Sequence, residues 1–321
     1  MSLRLMVVGG YGFIGSAVAR AASAAGVEVQ SVHFHQPSDL QRRVAESLDT
    51  NPVHRVEVPP HEVERLAHAL AVFSPNAIVS AVGSVARRHT LGWSEHVASN
   101  TGFLAELIDA VVLAKLPEMP SLIVIGSQLE FGDAAMPWTE DTIGSPSDAY
   151  GASKLAGTNL VVAARSAGIV RTTVVRVPIV FGSGQAPQML IPQLIVAALR
   201  GERVEMSEGT QLRRTIGSTN LAGLLLELAD RATAEDLPAL LNLPAFAEMP
   251  VREIGSLILR LVGNPSASLV FGARPMRPGE ALREWPDDEL AKQLGFRIDG
   301  DVETAMKTTI GWYRSNASLF S

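Results

Sequence analysis

Short apolar runs alternate with longer helix-forming segments through the first half of the chain. The first run, residues 3–8, leads into two glycines, and the Ala-rich segment after it ends at Gly26. Such runs are typical of buried parallel strands, and the segments between them are long enough for helices. The predicted strands are residues 3–8, 27–34, 77–82, 122–125 and 172–177, and the predicted helices are residues 13–25, 61–73, 99–114 and one that carries Tyr150 and runs to about Ala167. This alternation predicts an α/β fold with a doubly wound parallel sheet.

The pattern changes after Pro178. Glycines and prolines open a loop there, a helix is predicted over residues 192–200, and turn-forming residues become frequent after Pro244. We therefore predict a first domain over residues 1–177 and a smaller C-terminal lobe over residues 178–321, with the segment 216–240 returning to the sheet. Ligands bind outside the carboxyl ends of parallel strands, so we expect the site between the two lobes.

Composition excludes several classes of function. The net charge is −6, which argues against a nucleic-acid or anionic-membrane partner. The chain has no Cys, which rules out disulfides and thiolate metal sites, and no metal site is predicted. The sequence also shows no cleavable leader and no apolar run of about 20 residues, so we expect no membrane span and a cytoplasmic location.

A glycine loop follows the first predicted strand. Gly9, Gly12 and Gly15 are spaced three residues apart, and Phe13 and Ile14 begin the next helix. Glycines let the backbone approach a pyrophosphate, and the helix N-terminus supplies unpaired N–H donors and the positive end of its dipole. A tight turn without a ligand is the alternative, but the position between a strand and a helix predicts dinucleotide binding.

The end of the second predicted strand bears on the choice of cofactor. An Asp or Glu usually stands there when the ribose hydroxyls of NAD are bound, whereas here the strand ends without an acid. His33, or Arg42 and Arg43 further on, would supply positive charge for a 2′-phosphate, unless these are ordinary surface residues. NADP(H) is therefore favoured over NAD(H).

Tyr150 and Lys154 stand four residues apart, and hence on one face of the predicted helix. A phenol has a pKa near 10, and a nearby ammonium brings it toward the range in which the phenol transfers protons at neutral pH. Ser127 follows a predicted strand, where its hydroxyl would bond the same substrate oxygen. These three residues are the predicted catalytic group.

The chain resembles the extended short-chain dehydrogenase/reductases, also called the NAD-dependent epimerase/dehydratase family. The matching blocks are residues 9–15 for the family's GxxGxxG, residues 127–132 for the strand end with the catalytic Ser, Tyr150 and Lys154 for YxxxK, and Asn100 for the Asn that helps to organise the cofactor site. The resemblance implies a Rossmann fold and an NAD(P)-dependent oxidoreductase. It also implies that Asn100, Tyr150 and Lys154 contact the cofactor. A plain helix N-cap is the other interpretation of Asn100.

The resemblance continues into the second lobe. It implies that Arg213 and Arg277 bind the diphosphate of a nucleotide sugar and that Glu280 accepts from the nucleotide ribose. Pro178 stands where the family usually has Asn, so the chain departs from the family's pattern at a position that normally contacts substrate or cofactor. Surface salt bridges are the alternative role for each Arg.

The motifs leave three possible functions. Gln128 and Leu129 stand where the family's dehydratases carry Asp and Glu, which argues against a 4,6-dehydratase. We favour an NAD(P)H-dependent ketoreductase that acts on a nucleotide-diphospho-4-keto-6-deoxysugar. A nucleotide-sugar 4-epimerase with tightly held NAD is the alternative, and a non-catalytic dinucleotide sensor is the second. The apolar surface of residues 100–114 is wider than one packing face needs, and burial in the monomer is one explanation for it. Members of the family commonly dimerise through this helix and the Tyr150-bearing one, so the resemblance implies a homodimer.

Overall fold

The computed structural model describes residues 2–49, 51, 53–83, 92–277 and 279–320. Its strands are β1 Arg4–Val8, β2 Glu28–His33, β3 His54–Glu57, β4 Ala77–Ser80, β5 Ser121–Ser127, β6 Arg171–Val177, β7 Ile179–Phe181, β8 Arg203–Glu205, β9 Leu212–Arg213, β10 Thr215–Gly217, β11 Leu240–Asn242, β12 Met249–Pro250 and β13 Ser268–Val270. Its α-helices are α1 Phe13–Ala24, α2 Asp39–Leu48, α3 Val63–Phe73, α4 Trp93–Val97, α5 Phe103–Ala114, α6 Ala149–Ser166, α7 Leu190–Arg200, α8 Ser218–Ala232, α9 Val251–Val262, α10 Glu289–Gln293 and α11 Val302–Ser315.

Seven parallel strands form the main sheet in the order β11-β6-β5-β4-β1-β2-β3. Side chains of β1 alternate between its two faces: Leu5 and Val7 pack with α1 and α8, while Met6 and Val8 pack with α3, α5 and α6. Helices on both faces explain why the strand is apolar at successive positions. The prediction of a doubly wound α/β fold is confirmed. The strand order reverses between β1 and β4, which places the ligand crevice at their carboxyl ends.

The segment after β10 runs back along the sheet. Helix α8 packs on the same side as α1, and β11 pairs with β6 in parallel register, with Leu241 opposite Val175. The remaining elements, chiefly α7, α9 and α11, enclose a separate apolar cluster that includes Phe181, Ile195 and Tyr313. Three two-stranded sheets lie in this part of the chain: β7 pairs with β10, β8 with β13 and β9 with β12.

One helix differs from its predicted extent. It begins at Trp93, six residues before the predicted start at Ser99, and α4 continues through a π-turn, Ala98–Gly102, into α5. By length and composition alone the helix Trp93–Ala114 would be able to cross a membrane, a test that buried core helices of globular folds also pass. Part of it packs against α3 and α6 inside the protein.

Candidate active site

The glycine loop lies at the carboxyl end of β1, where the strand order reverses. Gly9 has φ +97°, a conformation that favours glycine, and a Cβ on Gly15 would lie 2.3 Å from the Gly9 carbonyl oxygen. Gly12 caps α1 without a side-chain hydrogen bond, and the first turn carries no acidic residue. The backbone N–H groups and the helix dipole are therefore available to an anion, so this loop fits a dinucleotide pyrophosphate.

Replacing Gly15 with Ala tests this cradle. The new Cβ would force the Gly9 carbonyl to move, so we expect G15A to weaken nicotinamide-cofactor binding at least about tenfold, or about 1.4 kcal/mol. Gly311 in α11 has open space around its Cβ position, and G311A is the matched control, with unchanged affinity. Fluorescence titration with reduced cofactor measures both variants. Equal affinity of G15A and the wild-type protein would rule out the cradle.

Beside the loop lie the residues at the predicted adenosine end. His33 ends β2, and its ring contacts Tyr11 edge-on at 4.9 Å between centroids. Burial lowers the pKa of His33 and outweighs the raising effect of Glu57, which β3 places in register beside it. The imidazole is therefore neutral at pH 7. Arg55 lies over the Tyr11 ring but is ion-paired with Asp49 at 2.5 Å.

The three predicted catalytic residues come from one strand and one helix. Ser127 is the last residue of β5, and Tyr150 and Lys154 lie in the first two turns of α6. Asp148 caps this helix by accepting from the Gly151 N–H at 2.7 Å. The Lys154 ammonium donates to the Ile125 carbonyl at 3.0 Å, which ties the helix to the strand two residues before Ser127. The three residues are only 6, 8 and 9% exposed, respectively.

Asn100 lies next to Lys154. A Cβ on Gly83 would be 2.7 Å from Asn100 Oδ1 and 2.8 Å from Lys154 Nζ, so the two polar groups flank the same glycine. Asn100 also donates from Nδ2 to Ser153 Oγ at 2.9 Å. It lies within the π-turn of a continuous helix, and its alternative interpretation as an N-cap was wrong because the helix begins earlier.

Glu130 is a further buried residue that sequence reasoning did not identify. Its carboxylate accepts from the Ser127 backbone N–H at 2.8 Å, from Thr158 Oγ1 at 2.9 Å and from Arg176 Nε at 3.1 Å. Its charge also raises the pKa of Lys154, but the larger effect of burial lowers that pKa to about 8. Lys154 is therefore mostly cationic at pH 7, as activation of Tyr150 requires.

Comparison with known proteins identifies the family. The NAD-dependent epimerase/dehydratase family model matches residues 5–243. The chain belongs to this family. It is therefore an enzyme of the extended short-chain dehydrogenase/reductase type that uses a nicotinamide dinucleotide, within a family of sugar-nucleotide dehydratases, epimerases and reductases.

Individual relatives within this family differ in activity. The chain is 26% identical to a dTDP-glucose 4,6-dehydratase from Streptomyces griseus over 99% of its own length and 96% of the relative. It is 28% identical to a dTDP-6-deoxy-L-talose 4-dehydrogenase (NAD(P)(+)) from Kitasatospora kifunensis, over 82% of this chain and 80% of that one. A dTDP-glucose 4,6-dehydratase from Streptomyces venezuelae, solved with NAD, shares the fold with TM-score 0.81, 23% identity and 98% coverage of both chains.

An imidazole ring lies beside Tyr150, the predicted proton donor. The buried His96 imidazole lies 6.0 Å from the Tyr150 ring, centroid to centroid, in an edge-on arrangement. His96 comes from α4, the part of the helix that sequence reasoning did not predict. Only the packing of α4 against α6 reveals this neighbour.

The C-terminal lobe contributes the predicted substrate-binding residues. Arg213 is buried and lies 3.6 Å from Glu280 and 3.5 Å from Glu284, so the structure brings together two of the three predicted residues. Arg277 is exposed, and its carbonyl accepts from the Glu280 N–H at 3.1 Å. Diphosphate binding by these residues stays a prediction. Glu284, which sequence reasoning missed, also accepts a hydrogen bond from Gln128 and so reaches the residue after Ser127.

Proposed function

We propose that the chain is an NAD(P)H-dependent ketoreductase that acts on a nucleotide-diphospho-4-keto-6-deoxysugar. The observation that supports this most is the buried group of Ser127, Tyr150 and Lys154 beside two residues, Gln128 and Leu129, that cannot exchange protons. Reduction of a carbonyl needs a hydride on carbon and a proton on oxygen. It does not need the additional acid and base with which a dehydratase would remove water.

The three residues have separate roles in this proposal. Tyr150 gives its phenolic proton to the carbonyl oxygen as that oxygen gains negative charge, and Ser127 donates a hydrogen bond to the same oxygen. Lys154 stabilises the phenolate that remains, because its ammonium lies in a buried site where Coulomb interactions are strong. The bound dinucleotide supplies the hydride.

For the cofactor we propose NADP(H) in preference to NAD(H). The end of β2 carries no acid that would repel a 2′-phosphate. His33 supplies no charge when neutral, so Arg42 and Arg43, both exposed on α2, are the proposed phosphate ligands. Arg42 is ion-paired with Asp39 of its own helix, an exposed pair that a phosphate can replace at little cost.

One observation favours the alternative of a 4-epimerase. Glu57 lies beside His33 at the edge of the sheet where an adenosine ribose binds, and its carboxylate would accept from ribose hydroxyls. Such a contact suits tightly held NAD, which an epimerase needs because it takes back its own hydride. A non-catalytic sensor is the least favoured function, since the whole catalytic group is retained.

We also propose a homodimer through α5. Val112 and Leu113 on this helix are about half exposed, although its other face is buried in the protein. A second copy would remove this apolar surface from water. We expect light scattering to give twice the chain mass; a mass of one chain at micromolar concentration would contradict the dimer.

The proposed reaction is tested by incubating the enzyme with NADPH and with dTDP- or UDP-4-keto-6-deoxyglucose. We expect loss of NADPH absorbance and formation of a product that is heavier than the substrate by two hydrogens. One molecule of product should form for each NADPH consumed. Conversion of dTDP-glucose to a 4-keto-6-deoxysugar without added NADPH would instead identify a dehydratase. Interconversion of two nucleotide sugars with no net NADPH loss would identify an epimerase.

A further inference from the structure

The side chain of Gln128 is held beside the catalytic group by the C-terminal lobe. Gln128 directly follows Ser127 and is 2% exposed. Its amide nitrogen Nε2 donates to Glu284 Oε2, although the two residues are 156 positions apart in the sequence. The contact therefore joins the end of β5 to the lobe that carries the predicted substrate-binding residues.

The other end of this amide is not satisfied. Gln128 Oε1 is buried and has no hydrogen-bond partner among the residues that the structure describes. Leaving a buried acceptor unpaired costs free energy, and native proteins rarely do so. A carbonyl oxygen in this state, next to the residue that bonds the reacting oxygen, indicates that a donor from a bound ligand completes it.

The contacts of Glu284 and Arg213 explain why the oxygen of the Gln128 amide, and not its nitrogen, lacks a partner. Glu284 is buried with Arg213, whose Nε lies 3.5 Å from Glu284 Oε1, so the two side chains form a buried ion pair. An ionised carboxylate only accepts hydrogen bonds, so Gln128 must turn its NH₂ toward Glu284 and its oxygen away. Arg213 is anchored in turn, because its guanidinium donates to the Leu212 carbonyl at 2.8 Å and the Ala281 carbonyl at 2.9 Å.

We propose that Gln128 determines substrate specificity by accepting a hydrogen bond from a ring hydroxyl of the sugar, and that Glu284 and Arg213 are positioning residues that orient its amide. The inference rests on the proposed function, because it takes the sugar to lie at Ser127 and Tyr150. A 4-keto-6-deoxysugar keeps hydroxyls on C2 and C3, and the C3 hydroxyl is the neighbour of the reacting carbon. That hydroxyl is the donor we assign to Gln128 Oε1.

Equilibrium binding tests the assignment without any need for turnover. The full chain is titrated by calorimetry with dTDP-glucose and with its 2-deoxy and 3-deoxy analogues. We expect the wild-type protein to bind the parent roughly 10- to 100-fold more tightly than the 3-deoxy analogue, because the analogue leaves Oε1 unpaired. Q128M has similar side-chain volume and no acceptor, and it should bind the two sugars equally.

Two more variants separate the roles of the other residues. E284Q lets the Gln128 amide turn, so this variant should lose much of the preference for dTDP-glucose over its 3-deoxy analogue. It tests the assignment even if Q128M does not fold. E248Q is the matched control, because Glu248 pairs with Arg283, next to Glu284, and should keep the wild-type preference. An unchanged preference in Q128M or E284Q, or no hydroxyl preference in the wild type, would overturn this inference alone. A wild-type protein that binds no nucleotide sugar would overturn the proposed function as well.

Discussion

Replacing Tyr150 with Phe is expected to reduce turnover by roughly 10²-fold or more while leaving cofactor affinity nearly intact. The substitution removes one oxygen from a residue that is 8% exposed, so the ring keeps its packing and the loss is chemical. A positioned general acid contributes about 10²- to 10⁴-fold to a rate. Steady-state reduction of a keto sugar and titration with reduced cofactor measure the two effects separately.

The chain offers a matched control for this variant. Tyr313, one of three tyrosines, is also buried, and its hydroxyl donates to the Gln185 carbonyl in the C-terminal lobe. Y313F should lose stability, by about 1–3 kcal/mol for the unpaired carbonyl, and keep its turnover per folded molecule. If Y150F turned over at the wild-type rate, Tyr150 would not be the proton donor.

Lys154 should show an effect of similar size, with a distinctive pH dependence. K154M removes the cation, and we expect a loss of roughly 10²-fold, comparable to the removal of one oxyanion donor. In the wild type the pKa of Lys154 is lowered to about 8, mainly by burial. The group is charged below this pH and neutral above it. The value of kcat/KM should therefore fall as the pH rises through about 8, and this fall should be absent in K154M.

Glu130 should set the pH at which kcat/KM falls. Its negative charge raises the pKa of Lys154, so E130Q should move the fall in kcat/KM to lower pH. T158V is the control, because it removes one hydrogen bond to the carboxylate but leaves the charge in place. E130Q also removes the ion-pair partner of the buried Arg176, which we expect to lower the free energy of unfolding by about 3–5 kcal/mol. If this variant does not fold, the pH profile of kcat/KM in the wild type is the test. A wild-type profile that is flat from pH 6 to 10 would contradict the role of Lys154.

Local patterns were sufficient to predict the sheet and the helix face that Tyr150 and Lys154 share. Buried strands such as β1 are apolar at successive positions, here Leu5 to Val8, and the glycine loop has its signal within seven residues. Tyr150 and Lys154 could be paired because helix periodicity places residues four apart on one face. Helix α2 was missed because it is mostly exposed, with Ala45 as its one buried residue, although its Ser38–Gln41 capping box was a readable signal.

The rest of the site depends on contacts between distant parts of the chain. Gln128 and Glu284 meet across 156 positions, and Glu130 and Arg176 across 46. No periodicity connects such pairs. The strands around Arg213 are two or three residues long, too short for alternation to show. The π-turn that holds Asn100 lies inside a continuous helix, so neither the start nor the end of a helix marks it in the sequence.

Reductase and epimerase differ most directly in how they hold the cofactor. Freshly purified protein is denatured, and the nicotinamide that it releases is identified and counted against the chain. We expect little or none, and we expect the native protein to bind NADPH reversibly and more tightly than NADH. Release of one NAD per chain, with no exchange against added NADPH, would contradict the proposed reductase and identify an enzyme that recycles its own hydride.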